Sequence, residues 1–326
     1  MRKKLLTVLL LLSFMLFLAA CGAETEVAVI TASGDDQVMT GSELNNLSGE
    51  LALYGLDGSV TYAEAQECLF KKDGTVEVTS QAESEPIELI GVWCEPGRLV
   101  TAVADEVLET QEPVLVILLD GFGYDSYQMA KEKGLLPFLS TFKEERVGTC
   151  YPSISPVGLA AIVSGKTPAL NGIKGRNDHL PVVETIFDQR ENSFIVEGDG
   201  QIIQLTGDIE FNPDLDQDGD TDNEVLACAL ANLDHDLLFV HFHGIDDVQH
   251  AYAPYSKEAF AKIAATDHMV EQLAADWSGR ILIVADHGQH EQDEETATGE
   301  YAGKKGGHGD FRASDILVPL LIREAN

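Results

Sequence analysis

From residue 113 onward the chain repeats one pattern. A continuous apolar run ends at a polar residue, and a stretch with helical spacing follows. The runs are VLVILLD (114–120), SFIVEGDG (193–200), LLFVHFHGID (237–246) and ILIVADHG (281–288). Runs apolar on both faces suit strands covered on both sides in a parallel sheet, where inside–outside alternation disappears. Helix-like segments lie between them: LAAIVSG (159–165), TDNEVLACALANL (221–233) and KEAFAKIAATDHMVEQLAADW (257–277). Strands alternating with helices predict an α/β domain over residues 113–326, with a mostly parallel sheet flanked by helices.

The pattern before residue 113 differs. ELALYGL, TVEVTS and PIELIGVW read as short strands between Gly and Asp turns, and TYAEAQECLF reads as one short helix. Residues 21–112 are therefore expected to form a small β-rich accessory domain, with Trp93 and Tyr62 as packing residues. Its role is not legible. Residues 1–20 begin Met-Arg-Lys-Lys and continue as an apolar run ending in small residues, the pattern of a secretory signal. The run is short for a membrane span, and LAAC resembles a bacterial lipobox. Cys21 would then be the lipidated first residue, making the protein an extracytoplasmic lipoprotein held to the membrane through that lipid alone.

Composition narrows the partners. The 326 residues are 44% hydrophobic and 23% charged, enough for a sizeable core. The formal net charge of −34 repels nucleic acid and anionic lipid headgroups. Cys68, Cys94, Cys150 and Cys228 remain after Cys21. Export permits disulfides among them, but spacing assigns none, and all four are read as structural or inert.

Three strand-like runs end near an Asp: Asp120, Asp246 and Asp286. Ligands of parallel sheets bind at the carboxyl ends of strands. His250 follows Asp246 by four residues, His287 follows Asp286 directly, and KKGGHGDF supplies His308. Each alone is an ordinary cap or solvated side chain. Together they form a carboxylate–imidazole set suited to zinc.

These residues carry a resemblance to the alkaline phosphatase superfamily, in its type I phosphodiesterase/nucleotide pyrophosphatase branch. The match covers residues 113–326 through VLVILLDGFGYD, DDVQHAYAP, ADHGQH and GGHGDF. The resemblance implies two zinc ions. Asp246, His250 and His308 would hold one. Asp120, Asp286, His287 and the nucleophile would hold the other.

CYPSISPVGLAAIVSG (150–165) offers three nucleophiles: Cys150, Ser153 and Ser155. Cys150 opens a stretch resembling the sulfatase signature Cys-x-Pro-Ser-Arg, but Ile154 stands where that signature needs Arg. In the resembled family the nucleophile lies about ten residues before a Ser-Gly or Thr-Gly that closes its helix. Ser164-Gly165 puts Ser155 in register. Ser155 followed by Pro156 is also a helix start, with Ser expected at the N-cap and Pro at N1. A hydroxyl there meets the positive end of the helix dipole, a ready site for phosphate. One departure stands out. Gly158 occupies a position where that branch often carries Asn, with Asn177 as a candidate substitute.

The resemblance thus implies hydrolysis of small phosphate esters through a phosphoseryl intermediate on Ser155. The alternatives are a phosphonate or sulfate ester hydrolase of the same superfamily, and a non-catalytic binding lipoprotein. Finally, Asp214, Asp216, Asp218, Asp220 and Asp222 follow the spacing that opens an EF-hand-type calcium loop. Position 12 is Val225, with Glu224 one residue early, so a calcium-stabilised loop and a plain acidic turn both fit.

Overall fold

The computed structural model describes residues 24–81 and 84–325, so the leader and Cys21 lie outside the described residues. The chain divides into two compact units at Pro96/Gly97. The boundary expected at 112/113 is corrected, because a helix over Ala102–Leu108 belongs to the second unit and buries Val103, Ala104 and Val107.

In the first unit, strands run in the order β2-β1-β7-β3-β4: Asp36–Thr40, Glu26–Ile30, Ile87–Cys94, Glu50–Gly55 and Val60–Glu64. β5 (Cys68–Phe70) and β6 (Thr75–Val78) extend it through β7. Leu51, Leu53, Val76 and Val92 form its core. The helix expected over TYAEAQECLF is absent; β4 and β5 flank a three-residue turn, Ala65–Glu67. β4 pairs along its length with β3, so tertiary pairing overrides the helical composition. Trp93 is fully buried, whereas Tyr62 is 39% exposed.

The second unit carries the mixed α/β fold, a sheet flanked by helices. Strand order is β11-β10-β12-β8-β13-β16-β9. β8 (Val114–Leu119), β10 (Ser193–Glu197), β11 (Asp208–Phe211), β12 (Leu237–Phe242) and β13 (Arg280–Val284) are mutually parallel. β16 (Leu317–Arg323) runs antiparallel to both β13 and β9 (Lys143–Gly148). Every residue of β8 and β12 is buried, as apolar runs covered on both faces require. Helices over Ser155–Ser164 and Lys257–Ala275 contribute buried faces. Among the described residues, no helix is long and apolar enough to cross a membrane.

Candidate metal centre

β12, β8 and β13 are neighbours, and their carboxyl ends deliver the site. Asp120 directly follows β8. Asp286 and His287 follow β13. Asp246 lies in the first turn of the Gly244–Tyr252 helix, and His250 one turn later, on the same helix face. His308 directly follows a short hairpin of β14 (His290–Glu291) and β15 (Gly306–Gly307). Gly121 makes the approach possible. Its φ is +70°, and a Cβ there would stand 2.7 Å from Asp246 Oδ1.

The seven predicted residues form one connected cluster. His287 Nε2 lies 3.3 Å from Asp120 Oδ1, 3.6 Å from Asp286 Oδ2 and 3.1 Å from Ser155 Oγ. The His287 and His308 rings stack at 3.7 Å. Asp246 divides its oxygens: Oδ2 is 3.2 Å from His250 Nε2 and Oδ1 is 3.8 Å from His308 Nε2. Asp120, Asp286 and His287 gather their ligand atoms within 4.8 Å, and so do Asp246, His287 and His308.

The three imidazoles are oriented alike. The Nδ1 of His250 is paired with Gly306 O at 2.8 Å, that of His308 with Ser153 O at 2.9 Å and that of His287 with Gly288 O at 3.1 Å. Each backbone carbonyl favours a proton on Nδ1 and turns Nε2 toward the centre, the arrangement by which proteins aim metal-binding imidazoles. Buried oxygens complete the picture. Asp120 Oδ1 and Asp286 Oδ2 have no hydrogen-bond partner. A buried carboxylate oxygen left so is costly, and a divalent cation between these groups would satisfy both. The donor set therefore fits a metal.

Charge in the cluster is strained in both directions. Burial pushes the Asp286 carboxyl up to about 7, and the negative Asp120 beside it adds to the rise. Burial opposes the charge of His287, yet Asp286, Asp120 and Asp246 raise it to about 10. Burial and the nearby His287 hold His308 well below its ordinary value. For Asp120, burial is outweighed by His241, His243 and His287, which hold it well below the carboxylate range.

The Ser155–Ser164 helix ends at Gly165 in the left-handed region, as expected. Its start differs by one residue. Ile154 holds the extended N-cap position and Ser155 is the first helical residue. No side chain caps the helix, so the Ser155 hydroxyl is free of capping and points to His287. Gly158 is explained by packing. A Cβ there would stand 2.2 Å from Asp286 O, so this helix lies directly on the Asp286 backbone with no room for Asn. Asn177 is exposed.

The rival nucleophiles are otherwise engaged. Cys150 is fully buried, and burial pushes its thiol up to about 12. Ser153 donates its hydroxyl to Asp310 O at 2.9 Å while its carbonyl orients His308.

Several neighbours surround the cluster. Gln289 and Tyr301 carried no signal in the sequence, whereas His243 and His290 lie close enough to the ligands along the chain to suggest supporting or substrate-contacting roles. Gln289 is buried and donates to both Asp246 Oδ1 and its carbonyl. Tyr301 lies against the His250 ring, with its hydroxyl 3.2 Å from His308 Nε2 and 2.5 Å from an Arg176 nitrogen. His241 and His243 both stand 3.5 Å from Asp120 Oδ2. Their alternation at a strand end was the available clue. His290 pairs with Asp315 at 2.8 Å and lines a cleft of about 360 Å³ beside His308 and Tyr301.

The acidic loop divides. Asp214, Asp216 and Asp218 bring carboxylate oxygens within 4.8 Å of one another. Asp220 and Asp222 turn away to the buried Lys262, with Asp222 Oδ2 2.8 Å from its Nζ. Glu224 accepts from Leu215 N.

The second unit thus combines a seven-stranded, mostly parallel sheet flanked by helices with a carboxylate–imidazole cluster at its strand ends. Murine ectonucleotide pyrophosphatase/phosphodiesterase 5 shares the fold, at a TM-score of 0.50 and 12% identity over 64% of this chain and 88% of that one. More particularly, residues 181–323 match the family model of type I phosphodiesterase / nucleotide pyrophosphatase. The chain is also similar to GPI ethanolamine phosphate transferase 1 of Neurospora crassa, 30% identical over 107 residues. That match takes in 31% of this chain but only 9% of the relative's length. Phosphonoacetate hydrolase from Sinorhizobium meliloti, solved with phosphonoformate, aligns at a TM-score of 0.45 and 19% identity over 55% of this chain and 57% of its own.

Proposed function

We propose that this chain is a metal-dependent hydrolase of small phosphate esters that works outside the cytoplasm. The observation that carries the reading is Ser155 Oγ, uncommitted to capping and 3.1 Å from His287 Nε2. It stands at the start of a buried helix and beside carboxylates with orphaned oxygens. Asp120, Asp286 and His287, with Ser155, would hold one zinc; Asp246, His250 and His308 would hold a second. Two such ions would neutralise charge on the phosphoryl group and its leaving oxygen and would favour ionised hydroxyl groups. The Asp214–Asp218 carboxylates offer hard oxygen donors that suit calcium instead.

The chain's own residues then account for the chemistry. Ser155 Oγ, its proton lost to water, forms a bond to phosphorus as the bond to the leaving oxygen breaks. The leaving oxygen takes up a proton from solvent. Water then cleaves the phosphoseryl ester, restoring the hydroxyl and releasing phosphate or its monoester. The backbone carbonyls behind His250, His287 and His308 keep Nε2 facing the reacting centre, so little reorganisation is needed. The cleft lined by His290, Gln292, Thr296, Tyr301 and Asp310 is polar and of a size for a small ester. Arg176, held against the Tyr301 hydroxyl, adds a cation on that side.

A panel of phosphomonoesters, phosphodiesters, ethanolamine phosphate esters, phosphonates and sulfate esters tests the reading. The protein is assayed after chelation and again after zinc is restored, with the covalent intermediate trapped at low pH and mapped. Zinc-dependent turnover of a phosphate ester and a label on Ser155 are expected. Turnover indifferent to chelation, or a label elsewhere, would overturn it. The lipid anchor is proposed at Cys21, and mass spectrometry of the native N-terminus should find residues 1–20 missing and Cys21 acylated.

A further inference from the structure

On the far side of Asp120 lies a second buried cluster. Glu197 ends β10, His241 lies near the end of β12 and His243 follows it. β10, β12 and β8 are adjacent, so the three strand ends bring these residues together with Asp120. His241 is the penultimate residue of β12 and His243, just beyond it, holds the N-cap position of the next helix, so both side chains leave the same end of the strand. Their rings lie 3.8 Å apart.

The hydrogen bonding is asymmetric. Glu197 Oε2 is 2.9 Å from His241 Nδ1 and 3.2 Å from His243 Nε2. One carboxylate oxygen thus accepts from both rings and directs the other nitrogen of each, His241 Nε2 and His243 Nδ1, to Asp120 Oδ2. Both of those separations are 3.5 Å. Charge-assisted hydrogen bonds run at about 2.7–2.9 Å, so 3.5 Å is too long for two imidazolium–carboxylate bonds. Two ligands of one tetrahedral zinc, each at about 2.1 Å, stand about 3.4 Å apart. The spacing is that of donors around a common ion. A second observation agrees. His241 is fully buried, and its Nε2, aimed at Asp120, has no hydrogen-bond partner.

We propose that Asp120 Oδ2, His241 Nε2 and His243 Nδ1 form a further binding site for a divalent transition metal of the zinc type, with Glu197 orienting both imidazoles from behind. Two nitrogens and one carboxylate oxygen select such an ion over calcium or magnesium, which take oxygen ligands. Three protein ligands leave a fourth position open. The His243 side chain, 22% exposed, marks the way in from solvent. Asp120 then serves two cations, Oδ1 toward His287 and Oδ2 toward this site. The site goes beyond the phosphate-ester reading and stands or falls separately from it.

The full-length protein is stripped with a chelator, reloaded with zinc, desalted and counted by mass spectrometry, beside His243→Gln and Asp246→Ala. His243→Gln is expected to hold one zinc fewer than the parent while keeping the zinc that Asp246→Ala loses. Equal zinc in His243→Gln and parent overturns the proposal. Anomalous diffraction from parent crystals at the zinc edge needs no variant. A peak enclosed by Asp120, His241 and His243 is expected. A peak beside Asp246 with none beside His241 overturns this inference alone. A peak beside His241 with none beside Asp246 upholds it and sinks the two-zinc reading of the catalytic centre.

Discussion

The two oxygens of Asp120 look into regions of different construction. Toward Oδ1 the donors come from four separated pieces of chain, and backbone carbonyls orient each imidazole. Toward Oδ2 the two imidazoles come from one short stretch, and a single side chain, Glu197, orients both. Backbone carbonyls cannot be mutated away, whereas a carboxylate can. The first region should therefore resist loss of any one supporting residue, and the second should depend on one.

The largest expected effect tests the chemistry of the first region. Ser155→Ala should lower turnover by on the order of 10³-fold or more while zinc content stays near the parent value, because the other ligands remain. Cys150→Ala should keep most activity, since that thiol is buried and protonated. Kinetics and metal analysis of the two side by side check both. A dead Cys150→Ala with an active Ser155→Ala would reverse the assignment.

Next in size is the contrast between ligand losses. Asp246→Ala should lose both turnover and one zinc. Glu197→Gln should weaken zinc at the His241–His243 site by roughly 10–100-fold, as loss of a carboxylate that orients ligands does. Competition with a chromogenic chelator reads this directly. If Glu197→Gln binds zinc like the parent, the dependence on one residue is wrong.

Gly158→Ala probes how tightly the Ser155–Ser164 helix lies on Asp286. A Cβ 2.2 Å from Asp286 O forces the backbone apart. Overpacking of this kind costs about 1–3 kcal/mol. The melting temperature should fall by several degrees, and turnover should fall with it because Asp286 moves. Unchanged melting would mean that the helix slides freely.

The smallest effect belongs to the acidic loop. Calcium at ten times its dissociation constant stabilises by about 1.4 kcal/mol. Melting of the zinc-loaded protein should rise by a few degrees, and Asp216→Ala with Asp218→Ala should remove the rise. No response in the parent leaves a plain acidic turn.

Apolar patterning alone placed four of the seven strands of the second unit, β8, β10, β12 and β13, while β9, β11 and β16 went unread. An apolar run such as VLVILL admits little but a strand covered on both faces, and a polar residue closing it comes to lie at the carboxyl end of the sheet, where ligands bind. Asp120, Asp286 and His287 were legible for that reason, whereas Asp246 lies past the end of β12 in the first turn of the next helix. Local patterning also read the helix stop at Gly165, where a left-handed residue is needed. It failed at TYAEAQECLF, where pairing with β3 outweighed helical composition. Only tertiary structure decided which donors meet. Strand order is not written in any local window, and it put β10 and β12 beside β8, so that Glu197, His241 and His243 converge on Asp120. It also decided that Asp220 and Asp222 pair with Lys262 rather than with the loop, and that Gly158 must stay small under Asp286. Spacing along the chain fixes neighbours within one element. Neighbours across elements follow from how the whole chain packs.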